Sequence, residues 1–209
     1  DLYSTETHFL LELLQNVDDC RYSPVVRPTL RIIIETDSEN FSSFTTLRES
    51  EPPHALLTLE YNETGFEECH VRAICDIAQS TKAQEQRQFI GAKGIGFKSV
   101  FRVSRTPVVH SGKYHFHFDS VALGGLGYLV PFPLPAPPNF SEENSGTRLV
   151  LPLQEAKRVA EVQTHIMEDV QPTLLLFLRN LRTIEVVDTG NGVVKSMSKE
   201  LEGSIATLL

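Results

Sequence analysis

Residues 12–20 read Glu12-Leu-Leu-Gln-Asn16-Val-Asp-Asp19-Cys20, an amphipathic stretch with a strong helical signal. Glu12, Asn16 and Asp19 are separated by four and three positions, so on an α-helix they project from one face. The opposite face is apolar and consists of Leu10, Leu13, Leu14 and Val17. A carboxylate can take a proton from water and an amide oxygen can bind a hard cation. The pattern is therefore compatible with metal-dependent nucleotide chemistry, and also with an ordinary amphipathic surface helix.

A second informative stretch is rich in glycine and reads Gly91-Ala-Lys-Gly94-Ile-Gly96-Phe97-Lys-Ser99. It is not a Walker A loop, because Phe97 intervenes between the last glycine and the lysine. It is not a dinucleotide fingerprint, because Ser99 stands where the third glycine is required. Closely spaced glycines still allow backbone N–H groups to approach an anion, and a helix beginning at Gly96 would add a favourable dipole. A tight turn with close packing is the alternative interpretation.

Composition places the chain among soluble globular domains, with 209 residues, 22% charged side chains and a net charge of -8. The negative charge argues against nonspecific nucleic-acid binding. The sequence contains neither an apolar run long enough to span a membrane nor a signal-peptide pattern. Three cysteines without a C-x-x-C pair favour a reducing, intracellular compartment, either cytoplasmic or nuclear. Because the first residue is Asp, we expect the chain to be a piece of a longer protein.

Local patterns predict a mixture of helices and strands along the chain. Helices are expected up to about Cys20, over 67–77, from Gly96 to about 103, over 156–170 and over 174–181. Strands are expected over 30–36, 55–61, on both sides of Ser111-Gly112, over 147–153, and as a closing hairpin over 183–197. Because the later strands form hairpins, the pattern favours an α+β sandwich with a mixed, mostly antiparallel sheet over a doubly wound parallel fold.

Four motifs, taken in order, resemble those of the GHKL nucleotide-binding superfamily, which includes DNA gyrase B, the ninety-kilodalton heat-shock chaperone, histidine kinases and MutL. The first, E-x-x-x-N-x-x-D-A, matches residues 12–20, and the third, G-x-x-G-x-G-[FL], matches residues 91–97. The second, D-x-G-x-G, is represented by Asn62-Glu-Thr-Gly65-Phe66, and the fourth by Gly146-Thr147. The amino-acid sequences of the first and third motifs are similar to those in the chaperone-type ATPase modules of sacsin and of the plant NO VEIN proteins.

The resemblance implies a two-layer α/β sandwich of the Bergerat type. A nucleotide-binding core would cover residues 1–155 with a lid near 79–93, and residues 156–209 would add a C-terminal helix and hairpin to the same domain. The implied activity is slow hydrolysis of ATP with magnesium, in which lid closure is transmitted to neighbouring domains of a larger polypeptide. Self-association that depends on nucleotide is a further implied property, whereas membrane or nucleic-acid partners are not expected.

The resemblance also implies roles for individual residues. Glu12 would be the catalytic general base that activates water, and Asn16 would bind the magnesium that bridges the phosphates. Asp19 and Thr147 would line the adenine end, partly through water. Phosphate contacts would come from backbone groups of the third motif and from two lysines of the lid region: Gly91, Gly94, Gly96, Phe97, Lys82 and Lys93.

Asn62 departs from the family pattern, in which Asp begins the second motif and accepts a hydrogen bond from the adenine amino group. An Asn side chain still offers a carbonyl oxygen but carries no charge, so adenine binding would be weaker or less selective. An ordinary turn residue is the alternative for this position. Two neighbours of the motifs, Asp18 and Lys98, are expected to be solvated surface residues.

Three other functions remain compatible with the sequence. A nucleotide-binding switch with little hydrolysis is disfavoured by the presence of Glu12, because a pure binder needs no base. A histidine kinase would need a phosphoacceptor on a dimerising helix, and His8 is poorly placed for that role. A sandwich of this family that has lost nucleotide binding is the third option, since fold does not guarantee function.

Overall fold

The computed structural model describes residues 8–37, 41, 52–76, 93–138, 140, 146–202 and 205–208. The α-helices within these ranges are α1 (His8–Asp18), α2 (Glu68–Cys75), α3 (Lys93–Lys98) and α4 (Ala156–Asp169). Short 3₁₀ helices cover Ser99–Arg102, Ala122–Gly125 and Pro172–Phe177. The strands are β1 (Thr29–Glu35), β2 (Ala55–Tyr61), β3 (Val108–Ser111), β4 (Tyr114–His117), β5 (Phe132–Pro133), β6 (Thr147–Leu153), β7 (Thr183–Asp188), β8 (Val193–Glu202) and β9 (Ile205–Leu208).

The described strands form one open sheet in the order β5-β4-β3-β6-β2-β1-β7-β8-β9. Strand β1 pairs in parallel with β7, and the other described pairs are antiparallel. At the centre of the sheet, Ile32 lies opposite Leu59 on one side and Val186 on the other. The prediction of an α+β fold with a mixed, mostly antiparallel sheet is therefore confirmed.

The main hydrophobic core lies between the helices and one face of the sheet. In β1, Leu30, Ile32 and Ile34 are buried while Arg31 is exposed, as the two-residue period of a strand requires. The apolar face of α1 packs into the same cluster, and so does α4 through Val162. Each fully buried aliphatic side chain contributes about 1.5–3 kcal/mol, so this face holds α1 firmly against the sheet.

Two predicted helices differ from the observed elements. Helix α3 begins at Lys93 rather than Gly96, so Gly94 and Gly96 lie within a helix instead of a loop. The segment after α4 forms a 3₁₀ helix over Pro172–Phe177, and it does not continue to Leu181 as predicted. The helix ends there because the backbone N–H groups that follow donate to a side chain of α1 rather than to the preceding turn.

Asp18 is that side chain, and its predicted position on the solvated surface is wrong. The residue is 5% exposed. Its carboxylate accepts hydrogen bonds from the backbone nitrogens of Arg179 at 2.6 Å, Asn180 at 2.8 Å and Leu181 at 2.8 Å. These bonds tie the C-terminal end of α1 to the segment that leads into β7. Within the described ranges, each helix is too short or too polar to cross a membrane.

Candidate functional site

Glu12 and Asn16 occupy consecutive turns of α1 and are both half-buried. The apolar face of the same helix anchors this orientation, since Leu13, Leu14 and Val17 are buried in the core. A carboxylate and a carboxamide are therefore presented from a rigid helix rather than from a loop. The helical spacing predicted this arrangement, and the structure contains it.

Gly96 of α3 lies directly against these two side chains. An ideal Cβ placed on this buried glycine would stand 2.7 Å from Nδ2 of Asn16 and 3.0 Å from Oε2 of Glu12. Separations below 3.0 Å do not occur for real Cβ atoms, so glycine is what permits the approach. The structure thus brings together Glu12, Asn16 and Gly96, which are 84 positions apart from first to last.

A narrow cavity lies beside Asn16, between α1, α2, α3 and the sheet. Its volume is about 30 Å³. Its lining is mostly apolar and comprises Leu13, Asn16, Val17, Cys20, Leu59, Tyr61, Phe66, Ile74, Phe97 and Leu149. A volume of this size accommodates one or two water molecules. Entry of a purine ring would therefore require rings such as Phe66 or Phe97 to move apart.

Thr147 belongs to a buried polar network at the start of β6. The residue is 1% exposed, and its hydroxyl donates to Oε1 of Glu63 at 2.6 Å. Its oxygen lies 2.5 Å from the hydroxyl of Ser111, which in turn accepts the backbone N–H of Phe66 at 2.7 Å. Because the single Thr147 proton goes to Glu63, Ser111 must donate to Thr147. The network therefore runs in one direction and ends on the Glu63 carboxylate.

Two tyrosines accompany this carboxylate. Burial raises the pKa of Tyr61 well above its usual value, and nearby Cys20 and Glu63 raise it further. Burial likewise raises the pKa of Tyr22, whose hydroxyl donates to the carbonyl of Val17 at 2.8 Å. Both phenols stay neutral, because burial disfavours their charged forms and the neighbouring Cys20 and Glu63 add to this effect. The surroundings of Glu63 suit a neutral hydrogen-bond donor.

Glu63 and Ser111 were not among the site residues predicted from the sequence. Glu63 lies inside the second motif, directly after the residue chosen from the family pattern, and a carboxylate at that position was the available signal. Ser111 carried no comparable signal, because it reaches Thr147 only through the pairing of β3 with β6.

The side chain of Asn62 lies against the chain that enters β1. Its Oδ1 accepts the backbone N–H of Thr29 at 2.8 Å, and its Nδ2 donates to the carbonyl of Arg27 at 2.8 Å. Both ends of the amide thus stabilise the chain entering β1, and the structure does not bring Asn62 into the cavity lining. Asp19 is exposed in the turn after α1 and is also absent from that lining.

The predicted phosphate contacts fall partly in α3 and partly outside the described residues. Lys82, Gly91 and the lid from residue 79 to 92 lie outside the described residues. Lys93 and Gly94 belong to the first turn of α3. Phe97 is buried next to Gly96 and packs on Phe118 with ring centroids 5.8 Å apart.

Lys98, predicted to be a solvated helix residue, is instead held by aromatic side chains. Its Nζ donates to the carbonyl of Tyr128 at 2.5 Å and lies 5.0 Å from the centroid of the Phe118 ring and 5.7 Å from that of Phe101. Burial lowers the pKa of this lysine. The side chain is therefore partly rather than fully solvated, because α3 packs this face against the segment that follows β4.

Comparison with known proteins agrees with the family resemblance. A family model described as the Sacsin domain matches residues 1–123. Protein NO VEIN of Arabidopsis thaliana is 35% identical to this chain over 217 residues. The match covers 96% of this chain and 7% of the length of that protein.

Proposed function

This chain belongs to the Sacsin domain family, and from that premise we propose that it binds and slowly hydrolyses ATP with magnesium. The conformational change would be passed to neighbouring domains of a larger, chaperone-like protein. The observation that carries the proposal is the meeting of Glu12, Asn16 and Gly96 beside a cavity that Asn16 lines. The helices and one face of the sheet contribute to a single hydrophobic core, and this supports the assignment of a two-layer sandwich of the Bergerat type.

Glu12 is the proposed general base. Its carboxylate is half-buried on a rigid helix and faces the backbone of α3, which carries the third motif. From this position it can accept a proton from a water molecule that attacks the terminal phosphate. General-base assistance of this kind contributes about 10²–10⁴ to a rate.

Asn16 is the proposed magnesium ligand, and its oxygen fits a hard cation. Among the described residues, no group of three or more His, Cys, Asp or Glu could hold a metal ion. Magnesium at Asn16 would therefore take most of its ligands from phosphate oxygens and water, as is usual for this ion. When bound, it would neutralise negative charge on the phosphates.

Glu63 is the proposed acceptor for the adenine amino group, in place of Asn62. The amide of Asn62 already hydrogen-bonds to backbone groups at β1. The carboxylate of Glu63 instead accepts a hydrogen bond from the hydroxyl of Thr147, the residue predicted at the adenine end. The carboxylate also has the charge that the family motif supplies with Asp. An amino donor would enter an environment that already favours neutral groups beside this anion.

A module that has lost nucleotide binding is the second candidate. The cavity volume of about 30 Å³ favours it, because adenine cannot enter without movement of the lining. The two candidates make opposite predictions for binding, so a direct titration separates them.

The deciding experiment is a calorimetric titration of the chain with ATP and magnesium, repeated with Asn16→Ala and with Gln15→Ala. Gln15 is exposed on the neighbouring position of α1 and serves as the matched control. We expect saturable binding by the parent and by Gln15→Ala, and clearly weaker binding by Asn16→Ala. Absence of binding by a folded parent chain would overturn the proposal in favour of a module without nucleotide binding.

A further inference from the structure

A second cavity lies at the start of α4, away from the candidate nucleotide site. Its volume is about 180 Å³, and its lining is Phe101, Arg102, Val103, Ser104, Arg105, Gln154, Glu155 and Arg158. The two cavities share no lining residue. Since a volume of about 10–15 Å³ suffices for one water molecule, this cavity has room for a hydrated polyatomic anion.

The charge of this lining is opposite to that of the chain. Three guanidinium groups, from Arg102, Arg105 and Arg158, outnumber the single carboxylate of Glu155, while the whole chain has a net charge of -8. Arg158 also pairs with Glu161, with Nη1 and Oε2 at 3.1 Å. A guanidinium has five N–H donors in a planar fork that matches phosphate oxygens. The lining is therefore suited to a phosphate group.

Ser104 provides an independent observation. The residue lines this cavity and is 2% exposed, yet its Oγ has no hydrogen-bond partner among the described residues. A buried hydroxyl without a partner is costly, so such groups call for an explanation. The hydroxyl is shielded from solvent in this rotamer, and rotation about χ1 toward the cavity would let an anion there supply the missing acceptor.

The first turn of α4 adds further donors at the same place. The 14-residue helix begins at Ala156, and its N-cap residue Glu155 makes no side-chain capping bond. The first backbone N–H groups of a helix lack intrahelical partners and carry a partial positive charge. The cavity thus brings together three kinds of hydrogen-bond donor: guanidinium groups, a serine hydroxyl and the first backbone N–H groups of α4.

We propose that the cavity formed by Arg102, Ser104, Arg105 and Arg158 binds a phosphate group. The ligand class is a phosphate dianion, either free or as a monoester on a small molecule or protein. This site is separate from the proposed nucleotide site and does not depend on it.

The test is an NMR titration of the ¹⁵N-labelled chain with inorganic phosphate, with sodium chloride added to hold the ionic strength constant. We expect saturable shifts at the amides of Ser104, Arg105 and the first turn of α4. Arg105→Gln should weaken binding about tenfold, the loss expected for one charge-assisted contact. Arg72→Gln, an exposed arginine paired with Glu68, should leave binding unchanged.

Ser104→Ala distinguishes a binding role from a packing role. Because the variant removes a buried hydroxyl without a partner, we expect a higher melting temperature without phosphate and weaker phosphate binding. O-phosphoserine and acetate are titrated in parallel. Tighter binding of O-phosphoserine than of inorganic phosphate identifies a monoester ligand, and the reverse identifies the free dianion. Equal shifts with acetate, or no saturable shift with phosphate, would overturn the proposal.

Discussion

The backbone of Gly96 lies against the side chain of Asn16, so close that a Cβ on residue 96 would stand 2.7 Å from Nδ2 and 3.1 Å from Oδ1 of that residue. Glu12 borders the same point. The position of α3 and the orientation of both polar side chains of α1 are therefore linked. A shift of α3 must move them or open a gap beside them.

Gly96→Ala tests this contact. The added methyl group must displace Asn16 or Glu12, so we expect a loss of about 1–3 kcal/mol in unfolding free energy, measured by urea titration, and weaker ATP binding. Gly124→Ala is the control, because its φ is +66° but its Cβ would meet nothing within 4 Å. The control should lose only about 1–2 kcal/mol from backbone strain and keep its binding. Unchanged ATP binding in Gly96→Ala would contradict the linkage.

Glu12→Gln tests the proposed general base. The amide keeps the size of the side chain but cannot take a proton, so hydrolysis should fall by about 10²–10⁴ while ATP binding persists. Phosphate release under single-turnover conditions and calorimetry measure the two quantities separately. A variant that hydrolyses ATP as fast as the parent would exclude Glu12 as the base.

Asp18→Ala and Asp19→Ala form a matched pair of adjacent carboxylates. Asp18 receives three backbone N–H groups, whereas Asp19 is exposed. Removing Asp18 leaves buried donors without an acceptor, so we expect a loss of about 3 kcal/mol in unfolding free energy. Asp19→Ala should change it by about 0.5 kcal/mol or less. Equal losses in chemical denaturation would refute the assignment of Asp18 as the anchor.

Lys98→Met tests the contact between α3 and the segment around Tyr128. Methionine retains the apolar stem but loses the hydrogen bond and the cation–π contacts, each of the latter worth about 0.5–1 kcal/mol. Hydrogen–deuterium exchange should become faster in residues 126–130. Lys157→Met, at a side chain that is 89% exposed, is the control and should leave exchange unchanged. Equal protection in both variants would indicate that Lys98 does not hold the segment.

His110 makes stability depend on pH. It is 4% exposed, its Nδ1 lies 3.2 Å from that of His115, and Arg148, which pairs with Glu60, lies opposite it in β6. Burial, then His115, then Arg148 lower its pKa from 6.5 to about 4. As pH falls, the unfolded chain therefore takes the proton first. The contribution of His110 is complete above pH 6.5 and is lost toward pH 4.

Melting temperatures between pH 7 and pH 4 measure this dependence. We expect His110→Gln to flatten the curve in this window, and His54→Gln, at an exposed position, to leave its slope unchanged. The same slope in all three proteins would show that His110 does not control it.

The sequence alone was sufficient for the elements with a strong local pattern. The predicted strands 55–61 and 147–153 have the observed bounds, the predicted hairpin begins at Thr183 as observed, and the helical face of Glu12 and Asn16 is present as expected. These features follow from periods of two and 3.6 residues, which depend only on neighbours along the chain.

Tertiary structure decided which polar groups meet. Asp18 rather than Asp19 is buried, because its partners are backbone groups about 160 positions away. Glu63 rather than Asn62 joins Thr147, because β2 and β6 pair so that their ends coincide at Tyr61 and Thr147. Periodicity specifies the face on which a side chain lies, but only the packing of distant segments supplies its partners and removes it from water. The sequence therefore predicted the helix that carries the site, and the fold selected the residues that surround it.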